Sequence, residues 1–251
     1  MPICIILDEP ENPDNIGAAV RSMKNMGLKD LRLVLPPEDW RYEANKLAVG
    51  AADLLDKAKV FSTLEKAIED RQLVIGTTRR HGGHRRAHIE FEKAMQGAKV
   101  RGMAGEKIAV VFGKESKGLS NDSLRLCDWY TTIPTSPAYP SMNLAQTVMI
   151  VCFSLFTGKI KVDGYEKWKP VNKKEFESVM KNLNEALECL EYNPSVATRI
   201  DHTFRDFVKR TSLLKTEAQM FLGLSKRIKD RAAPLYNDKP SNRPVRDKKK
   251  H

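Results

Sequence analysis

The sequence predicts an α/β domain built on a parallel sheet, followed by a small all-α C-terminal domain. Three observations carry this reading. Short β-rich runs alternate with helical patterns through the first 157 residues, as in βαβ units. Beyond position 172 only helical periodicity remains. The charge balance also changes: 21 Lys+Arg stand against 19 Asp+Glu up to Thr157, and 22 against 13 from Gly158 onward. Most of the net charge of +11 therefore lies in the C-terminal part, an asymmetry that points to a polyanionic partner.

Strands are expected at Ile3–Asp8, 31–35, Lys59–Phe61, 73–76, Ile108–Phe112 and 130–133. The first opens without basic residues and meets an acid after a short apolar run, so it reads as a strand and not as a signal peptide. With no apolar run near the roughly 20 residues of a membrane span, a cytoplasmic protein is expected. A helix is expected over 15–26, where Ile16, Ala19, Val20, Met23 and Met26 share one face. Another begins at Ser62, because Ser62-Thr63-Leu64-Glu65 has the form of a capping box. A helix over 143–156 is apolar almost all round and must be buried on most sides, inside the fold or against a second subunit.

The lysine-rich stretch before Pro170 reads as a linker, and helices follow at 173–190, 196–210 and 216–228. Phe176, Val179, Met180, Leu183, Leu187 and Leu190 make the apolar stripe of the first of these. The expected division is a sheet domain over 1–158, a linker over 159–172, a helical domain over 173–233 that docks the polyanionic partner, and a disordered basic tail over 234–251. Cys4, Cys127, Cys152 and Cys189 stand too far apart in sequence for a zinc pair or a disulfide framework and read as buried reduced thiols.

Gly or Pro follows three of the β-runs, at Gly76-Thr77-Thr78, Gly113-Lys114-Glu115 and Ile133-Pro134. In open α/β sheets ligands bind beyond the carboxyl ends of the strands, so these loops can close on one ligand. There is no GxGxxG after the first strand, the Gly113–Gly118 loop lacks the Gly-Lys-Ser/Thr of a P-loop, and no GxSxG elbow occurs. A Rossmann dehydrogenase, a P-loop NTPase and a serine hydrolase are disfavoured accordingly.

What does occur is a combination: Asn15-x-Gly17-x-x-x-Arg21, then Gly113-x-Glu115-x-x-Gly118-Leu119, then Ile133-Pro134 with Ser141-Met142-Asn143-Leu144. In order and spacing it resembles the three motifs of the SpoU/TrmH branch of the SPOUT superfamily, whose members are RNA 2′-O-ribose methyltransferases. Within that branch the pattern is most similar to the TrmJ-type tRNA methyltransferases, which act on nucleotide 32 of the anticodon loop. The resemblance implies a SPOUT sheet with a C-terminal trefoil knot, S-adenosyl-L-methionine as cofactor, RNA (tRNA) as partner and a homodimer. Arg79-Arg80, Met142 and Gln146-Thr147 depart from the usual pattern, which bears on substrate details.

The resemblance also assigns residues. Arg21, Asn15, Glu115, Ser141 and Asn143 are expected to be catalytic, with Arg21 gripping the target phosphate through a guanidinium that stays protonated. Asn15 can bond the ribose hydroxyl or hold Arg21; Glu115 can orient Arg21 or accept a proton through water. Thr77, Thr78, Arg79, Gly113, Ile133, Pro140, Ser141, Met142 and Leu144 form the expected cofactor cradle, and Asn143 suits the N-cap of its helix. Arg80, Arg85 and Arg86, with Arg21, are the expected RNA contacts. His81, His84 and His88 lie among those arginines, whose charge opposes a bound metal, so a phosphate-gripping loop is expected, or else a solvated one. A ribosomal RNA methyltransferase and a catalytically inactive knotted RNA-binding protein are the alternatives; the intact polar residues oppose the second.

Overall fold

Every residue of β1, Ile3–Asp8, is buried, as expected of a strand covered on both faces. In the computed structural model, which describes residues 2–79, 88–157 and 169–237 with side chains through 232, β1 lies at the middle of a six-stranded parallel sheet. The elements in chain order are β1, α1 (Pro13–Asn25), β2 (Asp30–Val34), α2 (Trp40–Leu47), α3 (Ala52–Asp56), β3 (Lys59–Phe61) and α4 (Leu64–Ile68). There follow β4 (Leu73–Thr77), α5 (Phe91–Met103), β5 (Ile108–Phe112), α6 (Asn121–Arg125), β6 (Trp129–Thr131), α7 (Leu144–Phe156), α8 (Lys173–Cys189), α9 (Pro194–Thr211) and α10 (Lys215–Asn237).

The strand order is β3-β2-β1-β5-β4-β6. Alternate residues of each strand serve opposite faces. Ile3, Ile5 and Leu7 join α1, α5 and α7 in the larger core, whereas Cys4 and Ile6 face α4 and α6 in the smaller one. The loops after β1 and β5 become neighbours where the strand order reverses, which is where α/β sheets open a crevice.

Helices α8, α9 and α10 surround a third apolar cluster of Val171, Phe176, Val179, Met180, Leu213 and Ala218, with Phe204 and Phe221 edge to face at 4.9 Å. They are tied to the amino-terminal edge of the sheet. The backbone N–H groups of Lys173 and Lys174 donate to the carbonyls of Arg71 and Glu69, giving the first turn of α8 partners that a helix start lacks. The Lys173 ammonium pairs with the buried Asp128 carboxylate, whose other oxygen accepts from Val74 N at 2.8 Å.

Several expectations shift. β6 starts one residue early and ends before Thr132, so Ile133 lies in the loop that follows. Thr63, not Ser62, caps α4: Thr63 has the extended backbone and accepts from Lys66 N, which leaves Glu65 one position too early to complete a box. Helix α7 is buried on one side only, with Phe153 and Phe156 more than half exposed in the single chain. Helix α10 continues through Asn237, past the expected end at 228. No helix among the described residues is long and apolar enough to cross a membrane.

Candidate active site

The polar residues of the three motifs meet at the carboxyl end of the sheet. Glu115, from the loop after β5, accepts from Asn15 Nδ2 at 2.8 Å, and also from Glu11 N at 2.8 Å and Asn12 N at 3.2 Å. Asn15 Oδ1 accepts in turn from Asn143 Nδ2 at 2.8 Å. The remaining oxygen of Asn143 caps α7, taking Ala145 N at 2.8 Å and Gln146 N at 3.3 Å. Glu115, Asn15 and Asn143 therefore form one directed relay. Each amide can point only one way, because Glu115 must accept and the first turn of α7 must donate.

The turn carrying Glu115 depends on two glycines. A Cβ on Gly113 would fall 2.2 Å from the Gly118 carbonyl carbon and the Leu119 nitrogen, and Gly118 itself has φ +68°. The chain thus doubles back tightly, closed by a hydrogen bond from Gly118 N to Lys114 O. A side chain at Gly17 would meet the Ala44 carbonyl at 2.1 Å, so the motif glycine of α1 is there to admit α2.

Beside the relay lies a cleft of about 270 Å³, close to the lower end of the roughly 300–1,000 Å³ typical of small-molecule sites. All nine residues expected to cradle the cofactor line it: Thr77, Thr78, Arg79, Gly113, Ile133, Pro140, Ser141, Met142 and Leu144. Phe112, Leu119, Ile133, Met142 and Leu144 are the apolar residues of its lining, and Thr77, Ser116, Ser141 and Thr147 are among the hydroxyl-bearing ones. Glu115 borders the cleft as well, so the relay and the cleft are one site.

Residues 2–153 match the SpoU rRNA Methylase family. The chain belongs to the SpoU methylase family. By that membership it is an RNA methyltransferase. Among SpoU-family relatives, the tRNA (cytidine-2′-O-)-methyltransferase TrmJ of Methanocaldococcus jannaschii is 32% identical over 194 residues, 76% of this chain and 84% of that one. The Pseudomonas aeruginosa tRNA (cytidine/uridine/adenosine-2′-O-)-methyltransferase TrmJ is 31% identical over 223 residues, 87% of this chain and 85% of its own. In three dimensions the chain is similar to the crystal structure of TrmJ from Z. mobilis ZM4, with a TM-score of 0.76 at 30% identity, covering 90% of this chain and 98% of that one.

Arg21 stands apart from the relay. It is exposed on α1, six residues and about 120° around the helix from Asn15, and it bonds neither Asn15 nor Glu115. Neither expected pairing with Arg21 forms: Asn15 bonds Glu115 and Asn143 instead, and Glu115 takes the backbone of Glu11 and Asn12. Arg80, Arg85, Arg86, His81 and His84 lie outside the described residues. His88 is described, 3.1 Å from Thr132 Oγ1. Among the described residues no group of His, Cys, Asp and Glu is arranged to hold a metal. Cys4, Cys127 and Cys152 are buried and unbridged; burial pushes the Cys127 and Cys152 thiols up to about 12, so neither is a nucleophile at neutral pH, and Cys189 is half-buried.

Sequence reasoning missed Glu11, Ser116, Lys114 and Thr147. Lys114 Nζ pairs with Glu9 at 2.6 Å, and Thr147 Oγ1 donates to the Asn143 carbonyl at 2.9 Å. Glu11 and Ser116 are 105 positions apart, and nothing in either local sequence announces that they touch.

Proposed function

We propose that this SpoU-family chain moves the methyl group of S-adenosyl-L-methionine to a ribose 2′-oxygen of tRNA, in the anticodon loop at nucleotide 32. The observation that carries it is the relay of Asn15, Glu115 and Asn143, one from each motif, at the edge of the cleft. The names of the TrmJ relatives, tRNA 2′-O-methyltransferases, support the choice of acceptor.

The cleft suits the cofactor chemically. Apolar walls at Ile133, Met142 and Leu144 fit an adenine face, and hydroxyls and loop backbone fit the polar ribose and amino-acid ends. The bound cofactor supplies an electrophilic methyl on a sulfonium, so the protein has to orient the acceptor and let its proton leave. Orientation is the larger share, worth roughly 7–11 kcal/mol in favourable cases. Asn15 is fixed by its two partners and presents a rigid polar edge to a ribose; Ser141 adds a hydroxyl on the cleft wall. Arg21, exposed and with its guanidinium not engaged by the relay, grips a phosphate of the target strand.

The finer organisation belongs to the same reading. Residues 1–158 form the methyltransferase unit with the trefoil knot at its C-terminal part, 159–172 the linker, 173–233 the RNA-docking helices and 234–251 a basic tail into which α10 runs as far as Asn237. The separate apolar cluster of α8, α9 and α10 and the C-terminal charge excess support this division. The exposed Phe153 and Phe156 on α7 support a homodimer, since a second copy would remove both rings from water. The cytoplasm, where tRNA is processed, is the expected compartment.

Titration calorimetry with S-adenosyl-L-methionine and with its demethylated product tests the cofactor assignment. Binding of both is expected, weakened by substitution of Leu144 with a charged residue. Absence of binding at millimolar cofactor would remove the cleft from the mechanism. A ribosomal RNA acceptor is the second reading, favoured by the rRNA in the matched family's description; label appearing in ribosomal RNA and not in tRNA would select it.

A further inference from the structure

The loop after β1 and the loop after β5 hold each other by an exchange of backbone and side chain. Glu115 takes the N–H groups of Glu11 and Asn12, and Glu11 takes the N–H of Ser116 at 3.0 Å and its hydroxyl at 2.8 Å. The pair Glu9–Lys114 closes the same seam from the adjoining positions. Each carboxylate thus satisfies donors of the other's loop. The consequence reaches the relay, for Glu115 Oε1 also receives Asn15 Nδ2. If Ser116 moves, Glu115 moves, and the orientation of Asn15 loses its anchor.

We propose that Glu11 is a positioning residue for methyl transfer: by holding Ser116 it sets the place of Glu115 and, through Glu115, the direction of Asn15. The inference rests on the methyltransferase reading of the site. The Glu11 side chain neither lines the cleft nor bonds a relay side chain, and only its backbone N–H meets Glu115; the carboxylate acts by fixing the turn between Gly113 and Gly118 at the point where the strand order reverses. The hydrogen-bonding pattern determines which substitutions matter. Glutamine can keep both bonds, because its carbonyl accepts from Ser116 N while its NH2 donates to a serine oxygen that can also accept. Alanine keeps neither.

The test compares Glu11→Ala and Glu11→Gln with the parent chain in four measurements: turnover at saturating cofactor and RNA, the KM for RNA, the melting temperature, and amide exchange at Ser116 followed by NMR. Glu11→Ala is expected to lower kcat about 10-fold or more, since misplacing a catalytic group by about an ångström can cost 10²-fold. It should leave the RNA KM within about twofold, leave the folded fraction at the assay temperature unchanged, and expose the Ser116 amide to exchange. Glu11→Gln is expected to stay within about threefold in kcat and to keep Ser116 protected. The proposal is overturned if Glu11→Ala retains parental kcat, if both variants lose kcat alike, or if the loss only tracks unfolded protein. Should the parent transfer no methyl group to RNA, it is the reading of the reaction that fails. The clasp is then decided by Ser116 exchange and the Asn15 side-chain amide resonances, which must change in Glu11→Ala and not in Glu11→Gln.

Discussion

Asn143 performs two tasks with two ends of one amide, and a single substitution separates them. Its oxygen caps α7 and its NH2 donates to Asn15. In Asn143→Asp the cap survives, because Asp is as good an N-cap as Asn and its charge suits the positive end of the helix. The bond to Asn15 does not survive. An acceptor now faces Asn15 Oδ1, and Asn15 cannot turn over, since its NH2 is held by the Glu115 carboxylate. Stability should therefore stay within about 0.5–1 kcal/mol of the parent, while turnover falls about 10²-fold, or roughly 2.7 kcal/mol of barrier. Asn143→Ala loses both functions. The missing cap costs about 0.5–2 kcal/mol and the missing bond about 0.5–1.5 kcal/mol, lowering the melting temperature by roughly 2–4 °C per kcal/mol. Thermal unfolding and single-turnover methyl transfer on the two variants provide the assay. Parental turnover in Asn143→Asp would show that the Asn143–Asn15 bond is not part of the machinery, and an Asp variant as unstable as the Ala variant would refute the cap.

Two further outcomes are expected. Arg21→Ala should abolish methyl transfer while leaving cofactor affinity nearly intact, because Arg21 lies outside the cleft; turnover within a few-fold of the parent would take it out of the mechanism. Replacing the exposed Lys226 and Arg227 of α10 by Gln should flatten the log–log salt dependence of RNA affinity by about 0.7–0.9 for each phosphate no longer neutralised. An unchanged slope would move RNA recognition away from α10. Neutralising charges is a cleaner test here than cutting the chain near Gly158, which would strip Lys173 from the buried Asp128.

Much of the sheet was legible because β1, β4 and β5 are almost unbroken apolar runs. β1, β3 and β5 have the expected bounds. Two short helices were not legible: α3 and α6 have five residues each, too few to show a period, whereas α4, as short, was announced by its capping residues. Helix α5 hides its face behind Ala94, Gly97, Ala98 and Gly102, small residues that carry little hydrophobic signal. The identities of Asn15, Glu115 and Asn143 were legible from motif spacing, but the bonds between them were not. Bonds that join positions 100 and 128 apart exist only once β1 and β5 are neighbours and α7 has returned beside α1. The same limit concealed Glu11, which is an ordinary loop glutamate until Ser116 is brought to it.

In the proposed reaction a cleft at the ends of β4, β5 and β6 delivers a methyl group to a ribose oxygen held by the motif residues. The most direct measurement incubates the full chain with methyl-labelled S-adenosyl-L-methionine and total RNA, then digests the RNA to nucleosides and maps the label by mass spectrometry. The expected result is one 2′-O-methylated nucleoside, located in the tRNA anticodon loop and formed about 10²-fold more slowly with Asn143→Asp. Label on a base instead of the sugar, or no incorporation by a chain that binds the cofactor, would contradict it.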